Sequence, residues 1–180
     1  SYYSLRYGTL SIDELVQQCK FKGHKSLALP DINNTTGTWM FVKECIENGI
    51  KPIAGMDFRK GDDCLYTGIA RNNLGFRELN EIMTRHNIEK IPLPQRPEVS
   101  HAYIVYPFGK ISPKVLNENE FIGVRPCELK KIYPGKTYLK YLMFPALTYP
   151  DKTGFELHKQ LRSIDHNILI GILEKHIVDI

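Results

Sequence analysis

The chain has 180 residues, a length that suits a single folded domain. Hydrophobic residues make up 42% and charged residues 24%, so the composition is that of a globular protein and excludes intrinsic disorder. The net charge of +4 is milder than that of a dedicated DNA-binding domain, and no run approaches the roughly 20 apolar residues of a membrane span.

The first predicted element is an amphipathic helix that begins after Ser11. Ser11 and Glu14 have the spacing of a capping box, in which each side chain accepts a hydrogen bond from the other residue's backbone N–H. Apolar residues then recur with helical spacing, at Ile12, Leu15, Val16 and Cys19. Gly23 is predicted to end this helix, because glycine adopts the left-handed backbone of a helix C-terminus at little cost.

A strand–helix–strand unit follows this first helix. Residues 26–29 form a short apolar run that predicts a strand, which we expect Pro30 to end. A helix is predicted from about residue 38 to residue 48, with Gly49 after it, and residues 50–56 form a second apolar strand. Because a helix joins the two strands and no hairpin turn lies between them, we predict that they are parallel.

The remainder of the chain continues as strands and helices. The predicted strands are residues 65–70, 101–106, 121–124 and 138–144, and the predicted helices are residues 73–86, 126–132 and 154–174. Pro92, Pro94 and Pro97 mark residues 88–100 as a proline-rich surface connection. The pattern predicts one α/β domain over residues 1–180, with mostly parallel strands.

Two carboxylates, Asp31 and Asp57, directly follow predicted strands. The loops at the carboxyl ends of parallel strands converge, so these side chains are candidate ligands for a divalent metal ion. In the alternative interpretation, Asp31 accepts hydrogen bonds from loop N–H groups and Asp57 forms an ion pair with Arg59 or another neighbour. A hydrolytic site needs about three protein ligands, and His101, at the start of a predicted strand, is a further candidate.

A basic cluster lies in the second half of the chain. Its members are Lys130, Lys131, Lys136 and Lys140. Such a cluster is either a solvated face or a contact for nucleic acid or an acidic partner. The sequence alone leaves both interpretations open.

The four cysteines predict neither a metal site nor a disulfide framework. No pair has C-x-x-C spacing, and Cys19 and Cys45 fall in predicted helices as small core residues. Residues 1–7 are polar and aromatic and lack the basic and apolar regions of a secretory signal. We therefore expect a cytoplasmic protein with free thiols.

Six segments carry a resemblance to a known family. They are SYYSLRYGTLS (1–11), LALPDINNTTG (27–37), GIKPIAGMDF (49–58), IARNNLGFREL (69–79), NEFIGVRP (119–126) and GFELHKQLRSID (154–165). In this order they resemble the amino-terminal PHP domain of bacterial replicative DNA polymerase III α subunits, of the Bacteroidetes type. The resemblance extends over nearly the whole chain.

The resemblance implies an α/β fold of the PHP type, a distorted (β/α)7 barrel of which this chain is a fragment that is incomplete at its termini. Active family members bind up to three metal ions and hydrolyse phosphoesters, and some act as proofreading nucleases. Others serve as a structural platform that docks the separate proofreading exonuclease. The polymerase carboxylates of the family lie beyond residue 180, so this chain is not expected to polymerise DNA by itself.

Departures from the family's ligand pattern favour the structural role. The family's His-x-His motif lies before the first residue of this chain. An acidic ligand of the family aligns with Tyr7, an Asp-His pair with Asp31-Ile32, a glutamate with Asp57 and a histidine with a position near Leu65. The resemblance therefore leaves only two carboxylates to bind a metal ion.

We accordingly predict a degenerate PHP domain that acts as a structural and partner-docking module in DNA replication, without a cofactor. The alternative is a residual metal-dependent phosphoesterase or 3′–5′ proofreading exonuclease that uses Asp31 and Asp57 with Mg²⁺, Mn²⁺ or Zn²⁺. The expected partners are the remainder of the polymerase subunit, the proofreading exonuclease subunit, and DNA through the holoenzyme. No membrane contact is expected.

Overall fold

A computed structural model describes residues 1–132 and 138–173. These residues form an α/β fold whose six-stranded sheet curls into a half-barrel. The helices are α1 (Ile12–Phe21), α2 (Thr38–Glu47), α3 (Asn73–Glu89) and α4 (Lys152–His166). The strands are β1 (Ser26–Ile32), β2 (Lys51–Lys60), β3 (Asp63–Ala70), β4 (Ala102–Pro107), β5 (Glu120–Val124) and β6 (Tyr141–Met143). Short 3-10 helices span Pro113–Val115, Pro126–Lys131, Tyr138–Lys140 and Ile170–Ile172.

The strands lie side by side in chain order, from β1 to β6. β1 and β2 are parallel, as the helix between them predicts, and β4, β5 and β6 are also parallel. β2, β3 and β4, however, pair antiparallel. The sheet is thus mixed rather than mostly parallel, because the two residues between β2 and β3, Gly61 and Asp62, allow only a hairpin.

Both strands of the parallel pair are longer than predicted. β1 continues through Pro30 to Ile32, because it is an edge strand of the described sheet, where a proline removes no necessary ladder bond. β2 likewise continues through Asp57 to Lys60. Asp31 and Asp57 therefore lie inside strands, and the prediction that they directly follow the strands is wrong.

Two apolar clusters hold the helices against the sheet. The first joins α1 and α2 to β1, and it includes Val16, Leu29 and Phe41. The second joins α3 to β2, β3 and β4, and it includes Met56 and Leu79. Each cluster buries the apolar stripe of an amphipathic helix against one face of the sheet, which is the stabilising arrangement of an α/β layer.

The first helix has the capping that its sequence predicts. Glu14 N donates to Ser11 Oγ at 3.1 Å, and Ser11 N donates to Glu14 Oε2 at 2.7 Å. Cys19 and Cys45 are both buried in the first apolar cluster, as predicted. Burial raises the pKa of Cys45 to about 11, so this thiol stays protonated at neutral pH.

The amino end of α3 packs closely against the chain at the start of β4. Asn72 Oδ1 accepts a hydrogen bond from Gly75 N at 3.0 Å and caps the helix. A Cβ atom at Gly75 would lie 2.0 Å from the carbonyl oxygen of His101, so only glycine permits this close approach of helix and strand. The helix continues to Glu89, three residues beyond the predicted end, and the irregular proline-rich connection starts at Lys90.

A buried carboxylate, Glu120, joins the proline-rich connection to β5. Arg96 donates to both of its oxygens, at 2.8 and 2.5 Å. Tyr106 Oη and Asn117 N donate further hydrogen bonds, at 3.0 and 2.7 Å. Burial by itself raises the pKa of Glu120, but these hydrogen bonds and the charge of Arg96 outweigh it, so the net pKa is lowered. Glu120 therefore stays ionised at neutral pH.

The carboxyl-terminal part is less regular than predicted. The helix predicted over residues 126–132 is a 3-10 helix, and the strand predicted over residues 138–144 is a 3-10 turn followed by the three residues of β6. Up to residue 173, the helical run predicted over residues 154–174 is α4 followed by a short 3-10 helix, and residue 174 lies outside the described residues. Within residues 1–132 and 138–173, no helix combines the length and apolar character needed to cross a membrane.

Candidate functional site

Asp31, the first candidate ligand, is 2% exposed and is bound by the amino-terminal segment. Ser4 Oγ donates to Asp31 Oδ1 at 2.8 Å, and Ser1 Oγ lies 2.9 Å from both carboxylate oxygens. The Ser1 nitrogen also donates to Oδ1, at 2.8 Å. These partners are serines rather than the loop N–H groups of the alternative interpretation. Asp31 thus fixes residues 1–4 on the edge of β1.

Asp57, the second candidate ligand, is 8% exposed and has three side-chain donors. Arg59 Nε donates to Oδ2 at 2.8 Å, while Cys64 Sγ and Thr67 Oγ1 donate to Oδ1 at 3.1 and 3.2 Å. The ion pair with Arg59 confirms the alternative interpretation for this residue. Burial by itself lowers the pKa of Arg59, but Asp57 and Tyr7 raise it by more, so the net shift is upward.

The two carboxylates do not share one site. The strand register places Asp31 beside Met56, and it places Ile32 beside Asp57. Because successive side chains of a strand point to opposite faces, the two carboxylates project from opposite faces of the sheet. The neighbour of Asp57 is therefore Ile32, an aliphatic side chain at the position where the resemblance implies a histidine ligand.

Two guanidinium groups lie over the ring of Tyr7, on the Asp57 side of the sheet. Arg59 Cζ is 4.6 Å and Arg162 Cζ is 5.2 Å from the ring centroid, within the range of cation–π attraction. His158 is fully buried, and its Nδ1 lies 2.6 Å from the carbonyl oxygen of Tyr7. Tyr7, which aligns with an acidic ligand of the family, thus joins β2 to α4.

A second polar cluster surrounds Arg162 and links α4 to the β2–β3 turn. Arg162 donates to Asp62, and its Nη1 donates to Asp165 Oδ2 at 2.7 Å. His166 Nε2 lies 2.8 Å from Arg162 Nη2 and 2.9 Å from Asp62 Oδ2. Ligand atoms of Asp62, Asp165 and His166 lie within 4.8 Å of one another, but Arg162 contacts all three and supplies the positive charge between them.

The donor set around Asp57 does not fit the metal centre that the resemblance implies. Both Asp57 oxygens already accept hydrogen bonds, one of them from a guanidinium group. Ile32 and Leu65 carry no donor atom for a metal, and the Tyr7 ring lies against two cations. A hydrolytic centre needs about three protein ligands and an open position. The arrangement instead balances buried carboxylate charge with arginine charge.

The structure does not bring His101 to either carboxylate. Asp57 lies beside Thr67, which lies beside Val105, so Val105 marks the level of Asp57 on β4. His101 precedes Val105 by four residues, which is roughly 13 Å along a strand. Its backbone N donates to Glu78 Oε2 at 2.9 Å, so His101 belongs to the junction of α3 and β4.

The members of the predicted basic cluster have different surroundings. Lys130 and Lys131 are exposed on the 3-10 helix after β5. Lys140 Nζ donates to the carbonyl oxygen of Asn117 at 2.5 Å and lies 5.2 Å from the centroid of the Phe121 ring, so it has a structural role. Lys136 lies outside the described residues.

Sequence reasoning missed the residues around Arg162. Arg162 and its partners lie at a cavity of about 180 Å³. The residues that line this cavity are Leu5, Tyr7, Ile32, Arg59, Gly61, Asp62, Arg162, Asp165 and His166. The segment GFELHKQLRSID, which contains Arg162, contributed to the family resemblance without indicating this contact. The only available signal was that a buried arginine needs a carboxylate partner.

Comparisons with known proteins identify relatives along the chain. The family model described as the PHP domain matches residues 1–114. A DNA polymerase III subunit alpha of Staphylococcus epidermidis is 30% identical over 186 residues, which cover 98% of this chain and 17% of that protein. The chain therefore spans 17% of the length of this curated relative.

Other relatives match shorter parts. A DNA polymerase III subunit alpha of Aquifex aeolicus is 42% identical over 55 residues, or 31% of this chain and 5% of that protein. An error-prone DNA polymerase of Symbiobacterium thermophilum is 29% identical over 90 residues, or 50% of this chain and 8% of that protein.

Proposed function

The chain belongs to the PHP domain family, and we propose that it is a degenerate member that serves as a structural and partner-docking module of a DNA polymerase III α subunit. Relatives named DNA polymerase III subunit alpha support a context of DNA replication. In this role the domain supports the remainder of the polymerase subunit and binds the proofreading exonuclease subunit. It meets DNA through the holoenzyme and carries no metal-dependent hydrolysis of its own.

The arrangement around Asp57 is the observation that carries this proposal. Where an active member needs several ligands for metal ions, this chain places Tyr7, Ile32 and the ion pair of Asp57 with Arg59. Arg162 supplies a second fixed cation over the same tyrosine ring. A guanidinium group neutralises a buried carboxylate but provides no exchangeable position at which water becomes a nucleophile. The geometry therefore favours a stabilising role over catalysis.

The outer face of α2 supports the docking part of the proposal. Trp39, the only tryptophan of the chain, is 79% exposed, and Met40 and Ile46 are 52% and 65% exposed. Trp39 and Ile46 are seven residues apart and therefore lie on the same side of the helix. Tryptophan and methionine are enriched in protein interfaces, and tryptophan frequently contributes most of the binding energy.

The absence of metal-dependent hydrolysis can be tested directly. We expect titration calorimetry of the 180-residue protein with Mn²⁺ to give no stoichiometric binding. The reason is that Asp31 and Asp57 project from opposite faces and are each saturated with donors. We also expect a generic phosphodiester to remain intact in the presence of Mn²⁺.

The matched variants for this test are Asp31→Asn and Asp57→Asn, which remove one candidate ligand each and keep the shape of the side chain. One Mn²⁺ bound per chain, with phosphodiester turnover that either variant abolishes, would establish the phosphoesterase alternative and refute the degenerate role.

The docking part predicts that α2 contributes to binding of the proofreading exonuclease subunit. We expect the double variant Trp39→Ala/Ile46→Ala to weaken this binding at least tenfold in calorimetry, because it removes an exposed aromatic anchor and its apolar neighbour. Ile88→Ala on α3, where the side chain is 75% exposed, is the matched control and should leave affinity unchanged. Equal affinity of all three proteins would exclude α2 as the docking surface.

A further inference from the structure

Four lysines lie together at the end of the sheet that faces away from Asp57. Lys20 and Lys22 flank Phe21, the last residue of α1. Lys25 directly precedes β1, and Lys51 is the first residue of β2. Lys51 N donates to the carbonyl oxygen of Lys25 at 2.9 Å, which places these two residues side by side. We call these four residues the lysine edge. Asp57 follows Lys51 by six positions in β2, which is about 20 Å along a strand.

The charges of the lysine edge are exposed and lack carboxylate partners among the described residues. All four side chains are exposed, and no ion pair in residues 1–132 or 138–173 includes any of them. Lys20 Nζ contacts only the amide oxygen of Asn48, at 3.2 Å, and Asn48 in turn contacts Glu44. Lys43, by contrast, pairs with Glu47 one turn away on α2. The lysine edge is therefore a positive surface on which no lysine is ion-paired within the described part of the chain, and only Lys20 is linked to a carboxylate there, through Asn48.

An aromatic ring stands in the middle of this positive surface. Phe21, between Lys20 and Lys22, is 88% exposed, more than any other large hydrophobic residue in the described part of the chain. The turn that follows it is fixed, because Gly23 N donates to Lys20 O at 2.9 Å and His24 N donates to Cys19 O at 3.0 Å. This is the Schellman pattern of a stable helix end. The Phe21 ring is thus exposed on a well-ordered helix end and does not contribute to the core.

We propose that the lysine edge and Phe21 form a binding site for single-stranded nucleic acid. The lysines neutralise successive phosphates, and Phe21 stacks on an unpaired base, the combination by which proteins hold single strands without sequence preference. A duplex encloses the faces of its bases and cannot use the ring in this way. An acidic peptide would pair with the lysines but would gain little from a bare aromatic face. This site is separate from the docking surface on α2 and does not depend on the loss of metal chemistry.

The test is fluorescence anisotropy of a labelled oligothymidylate with the 180-residue protein over a range of salt concentrations. We expect log affinity to fall with log salt with a slope of about −2 to −3, since each single-strand phosphate contact contributes about −0.7. The double variant Lys22→Glu/Lys25→Glu should bind at least tenfold more weakly and with a shallower slope. Phe21→Ala should lose about tenfold in affinity and keep the slope, because it removes stacking but no charge.

Lys130→Glu/Lys131→Glu is the matched control, because it reverses two exposed charges on the other basic surface. It should bind like the parent protein, and thermal melts should show that all variants remain folded. The proposal is wrong if the salt response is flat, or if the control loses affinity and the Lys22/Lys25 variant does not. It is equally wrong if duplex DNA or polyglutamate binds as tightly as the oligothymidylate and Phe21→Ala has no effect.

Discussion

Arg59→Met is expected to lower the free energy of unfolding by about 3–5 kcal/mol, the range for removing one partner of a buried ion pair. The side chains of Arg59 and Asp57 are 10% and 12% exposed, so the carboxylate would be left in a poorly solvated position with only two neutral donors. The methionine keeps the bulk of the arginine stem but also loses the attraction to the Tyr7 ring. Denaturant unfolding measures the change.

Two further proteins isolate the ion-pair contribution. Arg77→Met makes the same substitution in a pair with Glu81 that is 69% and 55% exposed, and it should change stability by no more than about 0.5 kcal/mol. The double variant Asp57→Asn/Arg59→Met should recover much of the loss, because no uncompensated charge then remains. A double variant as unstable as Arg59→Met would show that packing of the arginine, and not its charge, is what β2 requires.

Glu120→Gln is expected to lower the free energy of unfolding by about 2–3 kcal/mol. The side chain of Glu120 is 5% exposed and accepts hydrogen bonds from Arg96, Tyr106 and Asn117. Glutamine keeps the shape but loses the charge and replaces one acceptor oxygen by a donor. Because three of the four hydrogen bonds come from the proline-rich connection and the loop before β5, both segments should become more accessible to protease.

The effect of this substitution should depend on pH in a defined direction. The pKa of Glu120 is lowered in the folded protein, so its ionised form adds stability at pH values above the unfolded value of about 4.3. That contribution is lost as the pH falls through the lower folded pKa. The stability difference between the parent protein and Glu120→Gln should therefore be full near pH 7 and shrink progressively below about pH 4. The control variant Glu81→Gln, at an exposed position, should differ little from the parent protein in stability at every pH. A stability difference for Glu120→Gln that stays constant down to pH 2 would contradict the role of the Glu120 charge.

Local structure was largely predictable because local sequence determines it. Ser11 and Glu14 cap α1 as predicted, Gly23 ends it, and the helix between β1 and β2 makes these strands parallel. The antiparallel middle of the sheet was missed although its cause is also local. The Gly61-Asp62 connection is a hairpin turn, which makes β2 and β3 antiparallel. The resemblance to a barrel of mostly parallel strands led to the opposite prediction.

The candidate site was predictable only where its partners are close in sequence. Arg59 follows Asp57 by two residues, and their ion pair was one of the two interpretations considered. Arg162 reaches Asp62 across 100 residues of chain, and no spacing rule connects them. The separation of Asp31 from Asp57 depends on a register difference of a single residue, which reverses the face to which a strand side chain points.

The neighbour order of the strands has a consequence for synthesis on the ribosome. Each strand lies beside the one made just before it, so the sheet can extend from its amino-terminal edge while translation proceeds at about 5–20 residues per second. The Gly61-Asp62 turn between β2 and β3 closes early and at low entropic cost. The exception is α4, whose Arg162 must return to the β2–β3 turn after all six strands have been synthesised. A nascent chain arrested before residue 162 would therefore contain a nearly complete sheet in which Arg162 does not yet cover the Tyr7 ring. Selective chemical labelling of Tyr7 in trapped ribosome complexes should reveal this state.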